Sequence, residues 1–353
     1  VKDQHQEGGD NSNLYQGQSL EVHNYGITAQ EARDIAKGVF YENYLTLNGR
    51  ALEEVHRRID EFANLFLAKL SEAPQQSINN FDTARMLSAT YKAQRQYVEN
   101  GDQELAEMLA DFLIAMAAEE PRSLNDIVLN QAVEVASKLT PSQIDGLVSI
   151  LNVLWVEVDD YPTSGSDVFD FLHTQLTPYY GRIPQRSAEY EYMSALGVVS
   201  ERPVSASPYQ WLANGYPGVF VKGFSLDSLE PELKLYTMPP REGGQYFEPL
   251  PENENLFRIK LAEARRIVAN RRADPYNATR SAGALERLLN KCDLEPQQIR
   301  ESCRKHWPEL AAFLDVMQES RAMDYRPNSV GIAIGHAAWR RHNPEISLDE
   351  LLE

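Results

Sequence analysis

TPSQIDGLVSILNVLWV, residues Thr140 to Val156, is the stretch on which the fold turns. Thr140 is an N-cap residue, Pro141 takes the first helical position where no amide hydrogen is needed, and Gln143 completes a capping box. The helix that follows is apolar on most sides. Ile144, Leu147, Val148, Ile150, Leu151, Val153, Leu154, Trp155 and Val156 leave only Asp145, Ser149 and Asn152 as a narrow polar stripe. So wide an apolar face predicts a helix enclosed by others, with Trp155 buried. It is too short to cross a bilayer. A helical bundle must surround it.

The flanking sequence supplies that bundle. Thr28 and Glu31 form another capping box, and helical periodicity runs on to about Ala73, ahead of Pro74. Within it Val55, Ile59, Phe62 and Phe66 lie on one apolar stripe, with Leu52 and Leu70 beyond them. Unbroken, such a helix would be longer than a compact domain needs, and the stripe is expected to mediate oligomerisation. Further helices are predicted at 78–98, from Asp102 with Leu105, Met108, Leu109, Phe112 and Met116 inward, and at 123–138. From about Tyr161 the texture changes to proline, glycine and tyrosine. Short helices are expected at 166–174 and 187–196, the second closed by Gly197, and extended pieces at 218–250. Helical periodicity returns near Asn253, and Ser347 to Glu350 caps a last helix.

The fold expected is therefore mainly α, in three parts. Residues 1–27 are a polar, strand-like leader that cannot fold alone and suits β pairing between copies. Residues 28–160 form a helical domain, and 161–353 an α-rich C-terminal domain with a few short strands.

Composition narrows the function. The chain has 353 residues, 42% hydrophobic and 24% charged, which excludes global disorder and a disulfide-stapled miniprotein. Two cysteines, Cys292 and Cys303, exclude a disulfide framework and fit reduced thiols better than a single bridge. The first residues are too polar for a signal peptide and no apolar run reaches membrane length, so a cytoplasmic protein without a membrane partner is expected. With 34 basic and 52 acidic residues the net charge is −18, which disfavours nucleic acid as a partner.

Catalytic signatures are absent: there is no P-loop, no GxSxG, no HExxH and no CxxC. Glu157, Asp159, Asp160 and His173 read better as a solvated loop than as a metal site. His336 and His342, six apart, do not share a helix face, and Cys303 and His306 read as ordinary helix residues. No cofactor and no metal are expected. One charge feature remains. Residues 256–306 hold 12 Lys or Arg against six acids, including Arg265, Arg266, Arg271 and Arg272. At about 100° per residue these four spread around a helix, so they suit an acidic partner, a phosphate or another copy better than one nucleic-acid face.

Two resemblances add to this reading. The leader GDNSNLYQ (Gly9 to Gln16), then Asn24-Tyr25-Gly26-Ile27-Thr28 and the helix EARDIAKGVFYENYLTL, resembles a leader-plus-helix unit of bacterial proteins. Those proteins look like an uncharacterised family of similar length found near phage-defence and mobile-element genes. Ala195-Leu196-Gly197-Val198-Val199 and Ser329 to Gly335 are similar to the latter half of the Abi-alpha abortive-infection family. The resemblances imply a bacterial cytosolic role in antiviral defence or stress, with no active site to carry over. The function expected is a non-catalytic, self-assembling component of phage defence, with a protein partner from the same locus. The alternatives are a nucleic-acid sensor using 256–306, or a hydrolase or nuclease whose site the sequence does not reveal.

Overall fold

The computed structural model describes residues 50–73, 80–155, 162–234, 245–273, 280–342 and 348, without the side chains at 50, 82, 155, 271–273 and 280–282. The leader, the Thr28 and Ser347 capping boxes, the carboxylates at 157–160 and the Trp155 side chain lie outside the described residues.

Among the described residues there are fourteen α-helices and two small two-stranded sheets, a mainly α fold. The first five helices are α1 (Arg50–Glu72), α2 (Ala84–Asn100), α3 (Gln103–Ala118), α4 (Leu124–Ala136) and α5 (Pro141–Trp155). Their starts follow local chemistry. Asp102 accepts from the Glu104 and Leu105 amides ahead of α3, and Ser123 from the Asp126 amide ahead of α4. At α5, Thr140 Oγ1 accepts from the Gln143 amide (3.2 Å), while Gln143 Oε1 accepts from the Thr140 amide (3.0 Å). The helix expected at 78–98 instead starts at Ala84, because Thr83 is its N-cap, its side chain accepting from the Met86 amide.

The polar stripe of α5 is itself enclosed. Asp145, Ser149 and Asn152 are all buried. Ser149 Oγ donates to the Asp145 carbonyl at 2.7 Å and Asn152 Nδ2 to the Val148 carbonyl at 2.9 Å, which pairs both donors, while Asn152 Oδ1 has no hydrogen-bond partner among the described residues.

What encloses α5 comes from the far end of the chain. After α6 (Gly165–Leu176), α7 (Ser187–Ala195), β1 (Val199–Glu201) and α8 (Pro208–Gly215), the chain leaves the bundle for a satellite module. That module holds α9 (Pro231–Lys234), the antiparallel hairpin β2 (Phe247–Leu250) and β3 (Asn253–Ile259), then α10 (Leu261–Ala273) and α11 (Arg280–Cys292). It has its own core, with Phe224, Leu233, Phe247, Ile259, Ala264 and Leu285 among its members. The hairpin occupies residues expected to be helical from 253 onward. The cross-strand pair Glu248↔Arg258 and β-prone Leu256, Phe257 and Ile259 favour a strand there.

The chain then returns through α12 (Pro296–His306), α13 (Pro308–Glu319) and β4 (Tyr325–Pro327), which pairs antiparallel with β1. It ends its described helices with α14 (Ser329–Trp339), whose residues from Val330 onward are all buried. α14 packs on α5, α4 and α3, inside the N-terminal bundle. Two glycines permit this. A β-carbon at Gly335 would lie 2.5 Å from Leu151 Cδ1, and one at Gly331 would lie 2.0 Å from the Val198 carbonyl oxygen. One continuous core therefore runs from Phe62 to Trp339. The boundary expected at 160/161 does not separate two cores, because a helix apolar on every side must be surrounded, and the bundle before residue 160 surrounds it.

Candidate functional site

The described residues form a cleft of about 590 Å³ where four parts of the chain meet. Its walls are the first turns of α3, the connection from α4 into α5 with the first turns of α5, the segment after α6, and the end of α14. The Thr140 capping box fixes the start of α5 and so sets Asp145 into the wall. The Asn328 side chain caps α14 through the Val330 and Gly331 amides (both 3.1 Å), and α14 runs on to bring Arg341 and His342 to the rim.

Charges in the cleft are paired across elements. Arg182 Nε donates to Asp145 Oδ2 at 2.9 Å. Arg341 Nη1 donates to Glu104 Oε2 at 2.8 Å and its Nη2 to the Glu104 carbonyl at 2.6 Å. Burial raises the Asp145 carboxyl above the ordinary aspartate range, against the pull of Arg182. Tyr179 lines the same cleft. Its ring meets that of His342 edge-on at 6.1 Å. The residue is 3% exposed, yet its hydroxyl has no hydrogen-bond partner among the described residues. Burial first, and the Asp145 charge second, push that phenol up to about 12, so it keeps its proton at neutral pH and remains a donor.

Reading the sequence did not assemble this group. Glu104, Asp145, Tyr179, Arg182 and Arg341 come from four separate elements and share no spacing. The only local signal is the turn Thr177-Pro178-Tyr179-Tyr180-Gly181-Arg182, which says nothing of what it faces.

The residues singled out from the sequence fall elsewhere. Val55, Ile59, Phe62 and Phe66 are buried within the single chain. Phe62 and Phe66 stack on each other with centroids 6.5 Å apart. Phe62 also meets Tyr97 of α2 at 6.0 Å, and Phe66 meets Phe81 at 5.0 Å. Val55 and Ile59 pack with Val98. The stripe expected to meet another copy is covered by α2 and by the residues just before it. Arg265 and Arg266 are exposed on α10, where Arg266 forks Glu263 through Nε (2.9 Å) and Nη2 (2.6 Å). The side chains of Arg271 and Arg272 lie outside the described residues.

Much of the remaining basic segment is internally neutralised. Arg258 is buried and donates to Glu248 at 2.8 Å and to the Thr163 carbonyl, tying the hairpin to the start of α6. Arg287 pairs with Glu230, and both Arg300 and Arg304 pair with Asp315. Cys292 and Cys303 are free thiols, both buried. His173 Nδ1 lies 3.0 Å from Tyr180 Oη. No group of three His, Cys, Asp or Glu side chains among the described residues is placed to hold a metal ion, and no described helix is long and apolar enough to cross a membrane.

A model of an uncharacterised protein family matches residues 26–352, nearly the whole chain. No curated protein and no solved structure matches it.

Proposed function

We propose that this chain, which belongs to that family, is a non-catalytic, self-assembling component of bacterial antiviral defence. The observation that supports a binding role is the state of the side chain best suited to chemistry. Cys303 is fully enclosed, and burial pushes its thiol up to about 12. Almost none is thiolate at neutral pH, and the thiolate is the nucleophile. Its Sγ faces the Trp307 carbonyl, and the His306 ring lies against Trp307 with centroids 5.5 Å apart. The nucleic-acid alternative is weakened by the pairing of Arg258, Arg266, Arg287, Arg300 and Arg304 with carboxylates.

With the α1 stripe covered, assembly falls to residues 1–27 and to the outer surface. Native mass measurement across concentration tests it. The full chain is expected as an oligomer and a chain starting at residue 28 as a smaller particle. A monomer at every concentration, or an unchanged mass on truncation, overturns leader-driven assembly. Plaque counts on a host expressing the chain from its native locus test the defence role. Equal plaques with and without the gene, over a broad phage panel, count against it.

A further inference from the structure

We propose that the cleft around Tyr179 is a binding site for a free amino acid, a compact zwitterion with a sizeable apolar side chain. The site stands apart from the assembly reading and can hold without it. Three features point to this chemistry.

The first is the Tyr179 hydroxyl, a protonated donor that is almost wholly buried and unpartnered. Buried polar groups are nearly always paired, and in a residue that lines a cleft this exception is one that a ligand acceptor would satisfy. The second is the balance of charge. The cleft is lined by both signs, Asp102, Glu104, Glu107 and Asp145 against Lys138, Arg182 and Arg341. A bare anion would meet the four carboxylates inside a protein of net charge −18. A bare cation would meet the three basic side chains. A ligand carrying both signs satisfies each without adding net charge. Arg182 donates Nε to Asp145, and a guanidinium engaged through Nε keeps terminal nitrogens that would donate to a ligand carboxylate. Asp145 and Glu104 supply acceptors for an ammonium group. The third is the apolar part of the lining, Leu105, Met108, Leu139 and Ile144, which suits a hydrocarbon side chain. A volume of about 590 Å³ falls in the range of small-molecule sites.

The test uses the full-length chain, with calorimetric titration and thermal melting against leucine, methionine and phenylalanine. Two truncated probes, 4-methylpentanoate and 3-methylbutylamine, each keep one charged group of leucine, and sorbitol serves as a neutral polyol. At least one amino acid is expected to bind and to raise the melting temperature. Loss of either charged group should weaken binding at least about tenfold, the scale of a charge-assisted hydrogen bond. Tyr179→Phe should weaken it about fivefold or more while the unliganded melting temperature holds or rises. Arg182→Lys, which keeps the charge and loses the fork, should weaken it as well. The proposal is overturned if no amino acid binds at millimolar concentration. It is equally overturned if a one-charge probe or sorbitol binds as tightly as leucine, or if Tyr179→Phe binds unchanged.

Discussion

Two buried tyrosines show how much depends on a single partner. Tyr209 on α8 donates from Oη to the Ala311 carbonyl and to Asp315, both at 3.2 Å, whereas Tyr179 Oη has no partner among the described residues. Replacing a bonded buried hydroxyl leaves its acceptors short, so Tyr209→Phe should cost about 1 kcal/mol. Tyr179→Phe removes an unsatisfied group and should be neutral or stabilising by about 1 kcal/mol. Urea midpoints for the two variants check the opposite signs. Asp315, the acceptor for Tyr209, also takes Arg300 Nε and Nη2 and Arg304 Nη2, each at 2.8 Å. Burial opposes its ionisation, but the bonds from Arg300 and Arg304 outweigh burial and hold the carboxyl below the usual range. A folded-state pKa below the unfolded one gives stability that is complete above the ordinary aspartate value and lost as pH falls through the folded value. Asp315→Asn should therefore destabilise the chain by about 1.5–3 kcal/mol at pH 7. The gap to the wild type should narrow as pH falls below the ordinary aspartate value. A gap that stays constant with pH would show that the carboxylate charge is not what binds the arginines.

At the scale of elements, α14 is the most constrained part. Its Gly331 faces the Val198 carbonyl with no room for a methyl, and that carbonyl also accepts from the Asn328 amide at the helix start. Gly331→Ala should push β1 away and cost about 3 kcal/mol or more, the upper end of overpacking penalties, read as a lower urea midpoint. Gly335→Ala meets only the end of the Leu151 side chain and should cost less. Helix starts were legible in the sequence because capping is local: Thr140 with Gln143, and Asp102, act where they were expected. The inward face of α3 was legible for a similar reason, since Leu105, Met108, Leu109, Phe112 and Met116 recur with the helix period and all are buried. Periodicity does not say what covers a stripe. Val55, Ile59, Phe62 and Phe66 present the same pattern whether another copy or α2 lies against them. The cleft was illegible for the same reason, since Glu104, Asp145, Tyr179, Arg182 and Arg341 come from separate elements that only the tertiary fold brings together. Phe62→Glu consequently reads out folding, not assembly. A charge in the place of a fully buried aromatic should cost at least about 3–5 kcal/mol, lowering the thermal midpoint well before any effect on particle size.

At the scale of the molecule, the question is what the basic segment offers outward. Residues 256–306 carry a net +6 in sequence, which leaves −24 for the rest of the chain. In the fold, Arg258, Arg266, Arg287, Arg300 and Arg304 are each within ion-pair distance of a carboxylate. Such pairing shortens the reach of the positive field, and at physiological salt the Debye length of about 8 Å confines it further. Among the described side chains of α10, a phosphate backbone meets the exposed Arg265 and Arg266, the latter already forked by Glu263, on a body that is acidic as a whole. Non-specific nucleic-acid binding typically falls at about 10⁻⁴–10⁻⁶ M, and this chain should lie at the weak end or beyond. Replacing Arg265, Arg266, Arg271 and Arg272 together by Gln should leave that affinity almost unchanged, along with its dependence on salt. At the exposed Arg265 and Arg266 the substitution should also shift stability by no more than about 0.5 kcal/mol each. Fluorescence anisotropy with labelled single- and double-stranded probes, run across a salt series, makes the measurement. Submicromolar binding by the wild type that disappears in the variant would show the four arginines acting together on phosphate. The internal pairs would then be a resting arrangement that nucleic acid displaces, and the sensor reading would take precedence over assembly.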